Sequence, residues 1–409
     1  MGVQLDLKGY QKTEIGVIPK DWCVKRLKDI AEINKESLKG NTDKEYKFYY
    51  YDLSSVNKGK LLKPTEKIQF KNAPSRARRV FKRNNILMST VRPYLQGFAY
   101  IDFESDDCIC STGFAVISGE RPSDIKYIYH NLFSYTITNQ IQRLLVGSNY
   151  PAINTEDVEN LKIPYPNNKN ERAEIASILS TWDKAIELKE KLIEQKKQQK
   201  KGLMQKLLTG EVRLPGFNDK WIKVKFGKVL KFLKKEPVKN PQDYYLLTVK
   251  LHLKGVDATD KKPNVTTNGR PYYLREPNEL LIGRQNFHNG GIGIVPEHMK
   301  NYVASNAISS VGAIKGNLRF YYYYLSNANF YKRIEHIIGG TGQKEISESM
   351  MKKLKLFIPQ SEKEQTAIAN VLGMVDKEID LLEEELLQLK QQKKGLMQLL
   401  LTGKVRVKV

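Results

Sequence analysis

Cysteine is scarce in this 409-residue chain: Cys23, Cys108 and Cys110 are the only three. That is too few for a disulfide-stapled secreted fold, and Cys108 and Cys110 have no ligand-type residues at zinc spacing around them, so two small buried thiols are expected instead. The five histidines, at 130, 252, 288, 298 and 336, are scattered and form no metal cluster. No stretch approaches the roughly 20 uninterrupted apolar residues that a membrane span needs. The opening MGVQLDLKGY lacks the basic-then-apolar pattern of a secretory leader, so a reducing cytoplasm and no membrane partner are expected. Catalytic signatures are also missing. Asn240-Pro241-Gln242-Asp243-Tyr244 lacks the second proline of an Asn-Pro-Pro-Tyr motif, and Asp124-Ile125-Lys126 has no further acidic partner in sequence. The glycine-rich GGTGQK at 339–344 has neither the spacing nor the terminal Lys-Ser/Thr of a phosphate loop.

Negative charge is in short supply as well. Against 45 Asp and Glu stand 68 Lys and Arg, a formal net charge of +23. An excess of this size suits a polyanionic partner, because lysines and arginines that displace counterions from phosphates gain salt-dependent affinity. Charge speaks to partners and not to fold.

What the sequence does contain is a repeat. QQKKGLMQKLLTGEVR at 198–213 recurs as QQKKGLMQLLLTGKVR at 391–406, displaced by 193 residues and differing at two positions. Walking back without a gap, Glu171, Ile175, Ala176, Leu179, Asp183, Lys184, Ile186, Leu188 and Gln195 meet Glu364, Ile368, Ala369, Leu372, Asp376, Lys377, Ile379, Leu381 and Gln388. The register extends to Gly147, Ile153, Leu161, Lys162 and Pro166, which fall on Gly340, Ile346, Leu354, Lys355 and Pro359. A weaker echo opens each half, Trp22, Leu27 and Ile30 against Trp221, Phe226 and Val229. Between the echoes, residues 34–145 and 233–338 share little. Each half therefore pairs a divergent region with a common connector.

The connectors read as helices. In the second, Leu372, Val375, Ile379, Leu382, Leu386, Leu389, Leu396 and Leu400 step by threes and fours, interrupted by Lys393, the pattern of a coiled-coil seam. The first keeps Leu179, Trp182, Ile186, Ile193, Leu203 and Leu207 but sets Lys189, Lys196 and Lys200 on the same stripe, so its middle is partly wet, with lysine stems along the partner and ammonium groups in water. Each helix is bounded by a proline before it and a Thr-Gly after it. About 40 residues give roughly 60 Å of helix, enough for two antiparallel helices to act as a spacer. The division expected is a first domain at 1–166, a first spacer helix at 167–210, a second domain at 211–359, and a second spacer helix with a tail at 360–409.

Both divergent regions carry strand-like runs, YKFYYYDL at 46, ILMSTVR at 86, FAYID at 99 and FAVIS at 114 in the first, YYLLTV at 244, LLIGRQ at 280 and AISSVGAI at 307 in the second. Helical spacing follows at 127–145 and 319–338. The fold class is α/β, two globular α/β domains separated by two long antiparallel helices, with a pseudo-twofold internal repeat. In the first region Arg76, Arg78 and Arg79, with Lys71, Lys82 and Arg83 nearby, suit phosphate contact. Arg92 and Gln96 after a strand, and Ser148, Asn149 and Tyr150 in a glycine loop, suit base edges, since Arg pairs with guanine and Asn or Gln with adenine. The second region offers Arg284, Gln285, Asn286 and His288, then Thr341, Gln343 and Lys344.

These residues resemble the DNA-specificity subunit of type I restriction-modification systems over nearly the whole chain. The resemblance is carried by Tyr10-x-x-Thr13-Glu14-Ile15-Gly16-x-Ile18-Pro19-x-x-Trp22, by Pro359, Glu364, Gln365, Ile368 and Ala369 ahead of the second helix, and by the two KKGLMQ-x-LLTG helix ends. The first preface departs with Arg172 where the pattern has Gln. The resemblance implies two target-recognition domains, each reading one half of a split, asymmetric site in double-stranded DNA, and helices that set the gap and dock two methyltransferase subunits, with restriction subunits joining through the complex. It leaves room for a dimer of the isolated chain. S-adenosylmethionine, ATP and magnesium would serve the partner subunits, and this chain would need no cofactor. TGKVRVKV at 402–409 corresponds to TGEVRLPGFNDKW before the second domain, so the C-terminal segment is expected beside the opening of the first, a nearly circular design. Two other readings compete, a non-specific nucleic-acid scaffold, marked by sequence-independent affinity with a steep salt slope, and an enzyme with an unrecognised site.

Overall fold

A computed structural model describes residues 9–57, 59–104, 106–145, 151–265, 269–337 and 345–409. The chain forms two compact units. One is the chain up to Glu190 together with Glu385–Val409, the other Lys191–Glu384. The long helices are therefore shared out: each unit takes the first part of its own helix and the last part of the other.

In the first unit, one four-stranded sheet runs in the order Phe98–Tyr100, Ile86–Ser89, Phe114–Ser118, Glu32–Ile33, and a second in the order Ile68–Gln69, Lys47–Tyr51, Cys108–Ser111, Ala77–Val80. Period-two alternation assigns the faces. Ile86, Met88, Phe98, Ala115 and Ile117 face the helices Pro122–Leu132 and Tyr135–Leu144 and join their Ile125, Ile128, Leu132, Ile137 and Ile141 in one core. Leu87, Ala99 and Val116 point the other way and pack with Tyr51, Phe81, Cys108 and Cys110. The two cysteines are buried free thiols, as their isolation in sequence predicts. The helical stretch expected at 127–145 is two helices because Ser134 caps the second, accepting a hydrogen bond from the Ile137 amide.

The second unit repeats this topology. Its sheets run Leu230–Phe232, Ile308–Ala313, Leu280–Gly283, Ile292–Ile294 and Val256–Ala258, Tyr245–Val249, Tyr302–Ser305, Tyr272–Arg275. Each unit also contains one parallel pair in the same place, Lys47–Tyr51 with Cys108–Ser111 and Tyr245–Val249 with Tyr302–Ser305. Regions that share little sequence thus share a fold, because only the burial alternation is kept. A two-stranded ribbon leads into each long helix, Trp22–Arg26 with Lys162–Pro166 and Trp221–Lys225 with Lys355–Pro359, with Trp22 opposite Pro166 and Trp221 opposite Pro359.

The long helices are Lys169–Leu207 and Glu362–Leu400, each of 39 residues. Pairing is antiparallel inside each unit. In the first, Lys189 bonds Glu385 at 2.7 Å while Lys393 bonds Asp183; in the second, Lys196 bonds Glu378 at 2.6 Å while Lys200 bonds Asp376. The lysines on the first helix's stripe thus meet carboxylates rather than only snorkelling to water. Ile193 and Ile379 are buried, and Trp182, Ile186, Val375, Leu382, Leu386 and Leu389 are half-buried. Leu179 and Leu372 each lie in their own unit's core beside Ile175 or Ile368, where the helix start closes the domain, and the same clusters take in the end of the other long helix, Leu400 with Leu179 and Leu207 with Leu372. Leu203 packs on the second unit's core and Leu396 on the first's.

The C-terminal segment lies against the first unit's opening. Tyr10 donates its hydroxyl hydrogen bond to the Gly403 carbonyl at 3.2 Å, and Arg406 pairs with Asp21 at 2.7 Å and with Glu171 at 2.6 Å. In the second unit Arg213, 193 residues earlier, pairs with Glu364 at 2.5 Å. Trp22 Nε1 donates to Glu171 and Trp221 Nε1 to Glu364. One arginine-glutamate-tryptophan cluster therefore closes both units, as the nearly circular design requires.

Candidate nucleic-acid interface

The basic cluster of the first unit lies on and around the edge strand Ala77–Val80. The strand sends its side chains in different directions. Arg76 is exposed. Arg78 lays its guanidinium 4.8 Å from the Phe70 ring centre and lines an open cleft of about 860 Å³ with Asn41, Thr42, Lys44, Phe70 and Lys71. Arg79 turns inward and donates to the Phe114 carbonyl, with burial pulling its guanidinium pKa down. Arg79 is thus committed to holding the sheet. Lys71, Lys82 and Arg83 hold Glu45, Glu36 and Glu104 at 2.6, 2.7 and 2.5 Å. Exposed pairs of this kind are weak and exchange readily for phosphate oxygens.

Arg92 and Gln96 bracket a tight turn, Pro93–Leu95, and both adopt left-handed backbone, φ 48° and 55°. The turn buries Pro93 and leaves Arg92, Tyr94 and Leu95 exposed. Its base is pinned where the Arg92 amide donates to the Pro151 carbonyl at 2.7 Å and Val91 bridges Ala152. Ser148, Asn149 and Tyr150 lie outside the described residues, but the chain that follows them is held by the Arg92 turn.

The second unit builds the same junction from different residues. After its strand Leu280–Gly283 comes a helical turn, Arg284–Asn289, plugged into the core by Phe287 and closed by Gly290 at φ 71°. Asn286 is exposed, and Arg284, Gln285 and His288 are half-buried. His288 Nε2 lies 3.1 Å from the side-chain Nδ2 of Asn289. Arg284 pairs with Glu345 at 2.9 Å, and its carbonyl accepts the Ile346 amide at 3.2 Å. Thr341, Gln343 and Lys344 lie outside the described residues, and here too the chain just after them is held by the turn.

Sequence reasoning missed the exposed Tyr94 and Leu95, which only the turn's geometry brings forward. It also missed a buried network in the second unit. Arg275 donates to Ser310 Oγ at 2.7 Å, Ser310 donates to Glu279 at 2.8 Å, and Lys235 reaches Glu279 at 2.5 Å. Burial pushes the Arg275 pKa down to about 10, with Glu279 opposing. The four residues are dispersed over 75 positions, and no local pattern links them.

The domain-to-helix joints were missed as well. His130 is buried, with Nε2 3.1 Å from Ser180 Oγ and Nδ1 3.7 Å from Asp183, which Lys393 holds. Burial first, then the Lys393 charge, pushes the His130 pKa down to about 3. In the second unit Tyr323 donates to Asp376 at 2.7 Å, and Lys200 holds Asp376. Adding 193 to 130 and 183 gives 323 and 376, and subtracting it from 393 gives 200.

Among the described residues no cluster of His, Cys, Asp and Glu could hold a metal ion, and no helix is long and apolar enough to cross a membrane. The arrangement is that of two similar scaffolds presenting different loop chemistry.

Comparison with known proteins agrees with this geometry. The model of the type I restriction modification DNA specificity domain matches residues 19–198 and again 218–391. The chain is 27% identical over 429 residues to a putative type I restriction enzyme MjaX specificity subunit of Methanocaldococcus jannaschii, covering 98% of this chain and 97% of that one. It is 28% identical over 217 residues to the MjaVIII specificity subunit of the same organism, covering 52% and 51%. Its fold is similar to a chain solved in a study of type I R-M system assembly (TM-score 0.59, 21% identity, 95% and 99% covered) and to the S subunit of a type I system from M. genitalium (TM-score 0.57, 17% identity, 93% and 96% covered). The chain belongs to the type I restriction-modification DNA specificity family, and its role is DNA sequence recognition within such a system.

Proposed function

We propose that the chain reads a bipartite, asymmetric target in double-stranded DNA, one domain per half-site, and itself performs no chemistry. Residues 1–166 and 211–359 are the readers, and 167–210 and 360–409 the spacer. The observation that supports this most is the repeat of one eight-stranded topology on a common helical register with different residues at the equivalent turns, Arg92–Gln96 and Arg284–Asn289. Reading heads about one duplex turn apart, roughly 34 Å, would meet the major groove from the same side. Arg76 and Arg78 contact phosphate; Arg92, Gln96, Ser148, Asn149 and Tyr150 read one half-site, and Arg284, Gln285, Asn286, His288, Thr341, Gln343 and Lys344 the other.

The helices dock two methyltransferase subunits and through them the restriction subunits, in the cytoplasm. Adenine methylation and cleavage, with S-adenosylmethionine, ATP and magnesium, belong to those partners. Sequencing methylated adenines in cells that express the chain with its methyltransferase tests this. A motif of two unequal half-sites around a fixed gap is expected. A single uninterrupted motif, or methylation without sequence preference, contradicts it.

A further inference from the structure

Ion pairs along the helix seam fall into two kinds when each is carried through the 193-residue repeat. Pairs of the first kind map onto one another. Lys197–Glu383, 2.6 Å, becomes Lys390–Glu190, 2.7 Å, since 197 plus 193 is 390 and 383 minus 193 is 190. Lys200–Asp376 likewise becomes Lys393–Asp183. These pairs would be satisfied whichever copies of the helix met.

The second kind has no such image. Lys189 bonds Glu385 at 2.7 Å and Lys196 bonds Glu378 at 2.6 Å. Their images are Leu382 with Leu192 and Leu389 with Ala185. Both lysines are about three-quarters covered, 24% and 27% exposed, so each is poorly hydrated and depends on its carboxylate. The asymmetry continues in composition over equivalent stretches: 183–201 of the first helix carries seven lysines (184, 189, 191, 196, 197, 200, 201) and four acids (183, 187, 190, 194), whereas 376–394 of the second carries four lysines (377, 390, 393, 394) and six acids (376, 378, 380, 383, 384, 385).

We propose that Lys189 and Lys196 on the first helix, answered by Glu385 and Glu378 on the second, form a heterotypic address that makes each half of the chain the pairing partner of the other half and not of a second copy of itself. Two first helices in this register would set four lysines opposite Leu192 and Ala185. Two second helices would set four glutamates opposite Leu382 and Leu389. Both mismatches desolvate charges without compensation, whereas the observed combination neutralises each one. Discrimination between partners by a misplaced charge is how antiparallel and parallel helix pairs alike select their mates. The consequence is functional: a chain whose halves reject their own kind keeps its two different readers together.

The test is made on the full chain with three variants. The first set, Leu382→Lys, Leu389→Lys, Glu378→Ala and Glu385→Leu, gives the second helix the first helix's pattern. The second set, Lys189→Leu, Lys196→Leu, Ala185→Glu and Leu192→Glu, gives the first helix the second's. The third variant combines both sets and transposes the address. Each one-sided set is expected to lower the unfolding midpoint by about 5 °C or more, and the combination to melt above both. Light scattering should find the combined variant in the same oligomeric state as the parent chain. One-sided variants within about 2 °C of the parent, or a combination that melts at or below the lower of the two, would overturn the proposal. Comparing the combination with its own parts keeps the result interpretable if any substitution is costly by itself.

Discussion

Lys393 forms an ion pair with Asp183, and the residue 193 positions before it, Lys200, forms the same pair with the residue 193 positions after Asp183, Asp376. The relationship joins both helices to a reading domain in each unit, because each aspartate is also approached from the domain, by His130 in one case and by the Tyr323 hydroxyl in the other. Lys393 looks like a defect in the leucine seam. It instead ties the second helix to Asp183 of the first, the aspartate that His130 approaches from the first domain.

The histidine makes one joint sensitive to acid. His130 stays neutral when folded, its pKa pushed down to about 3 by burial and by Lys393, against about 6.5 when unfolded. Asp183 would favour the charged ring, but its carboxylate is already held by Lys393, and burial prevails. The unfolded chain therefore takes up a proton below pH 6.5 that the folded chain refuses. Stability from this group is full above pH 6.5 and falls by up to about 1.4 kcal/mol per pH unit below it. Tyr323 does not titrate in this range, since burial and Asp376 raise its pKa. In thermal scans between pH 6.5 and 4.5, His130→Gln should flatten the decline of the first unit's transition and leave the second's unchanged. Parallel declines in parent and variant would contradict this.

The departure of Arg172 from the family pattern is compensated. Arg172 donates to the Pro166 carbonyl at 2.7 Å and to Asp124 at 2.8 Å. Its counterpart Gln365 donates to the Pro359 carbonyl at 2.9 Å and accepts from the backbone N–H of Asn317, the counterpart of Asp124. One joint thus uses a charged side-chain pair where the other uses a neutral side chain bonded to the backbone. Arg172→Gln alone should cost about 1–3 kcal/mol by leaving Asp124 without its partner. Adding Asp124→Asn should restore most of the loss. A double-mutant cycle by denaturant unfolding checks this, and additive costs would count against it.

Three arginines of the first domain should behave differently on substitution by alanine. Arg76→Ala should weaken DNA binding by the assembled complex evenly across sequences and reduce the salt slope by about 1. Arg92→Ala should cost about 1–3 kcal/mol and relax one half-site only. Arg79→Ala should lower the unfolding midpoint, because its guanidinium holds the Phe114 carbonyl inside the sheet. Titrations at several salt concentrations, with thermal scans, separate the three outcomes.

Architecture was legible in the sequence wherever periodicity was strong. The helices begin and end within a few residues of the expected bounds because leucine spacing, prolines and Thr-Gly stops all act locally. The strand runs at 86, 114 and 280 are nearly continuous apolar stretches covered on both faces, so they too announce themselves. The domains' common topology was hidden, since 34–145 and 233–338 keep burial alternation and little else. Side-chain direction was hidden for the same reason. Arg76, Arg78 and Arg79 are alike in sequence, yet Arg76 is exposed in the turn before the strand, while the pleat stacks Arg78 on Phe70 and turns Arg79 inward. Leu179 and Leu372, which their spacing puts on the seam, also close the domain cores, because a leucine at helical spacing reads the same whether it meets a second helix, a sheet or both.

The central claim, that each domain reads its own half-site, is tested most directly by exchanging residues 34–165 for the equivalent segment of another specificity chain and sequencing the methylated sites made with the partner methyltransferase. One half-site should change while the other half-site and the gap stay as they were. If both half-sites change, or neither does, the account is wrong.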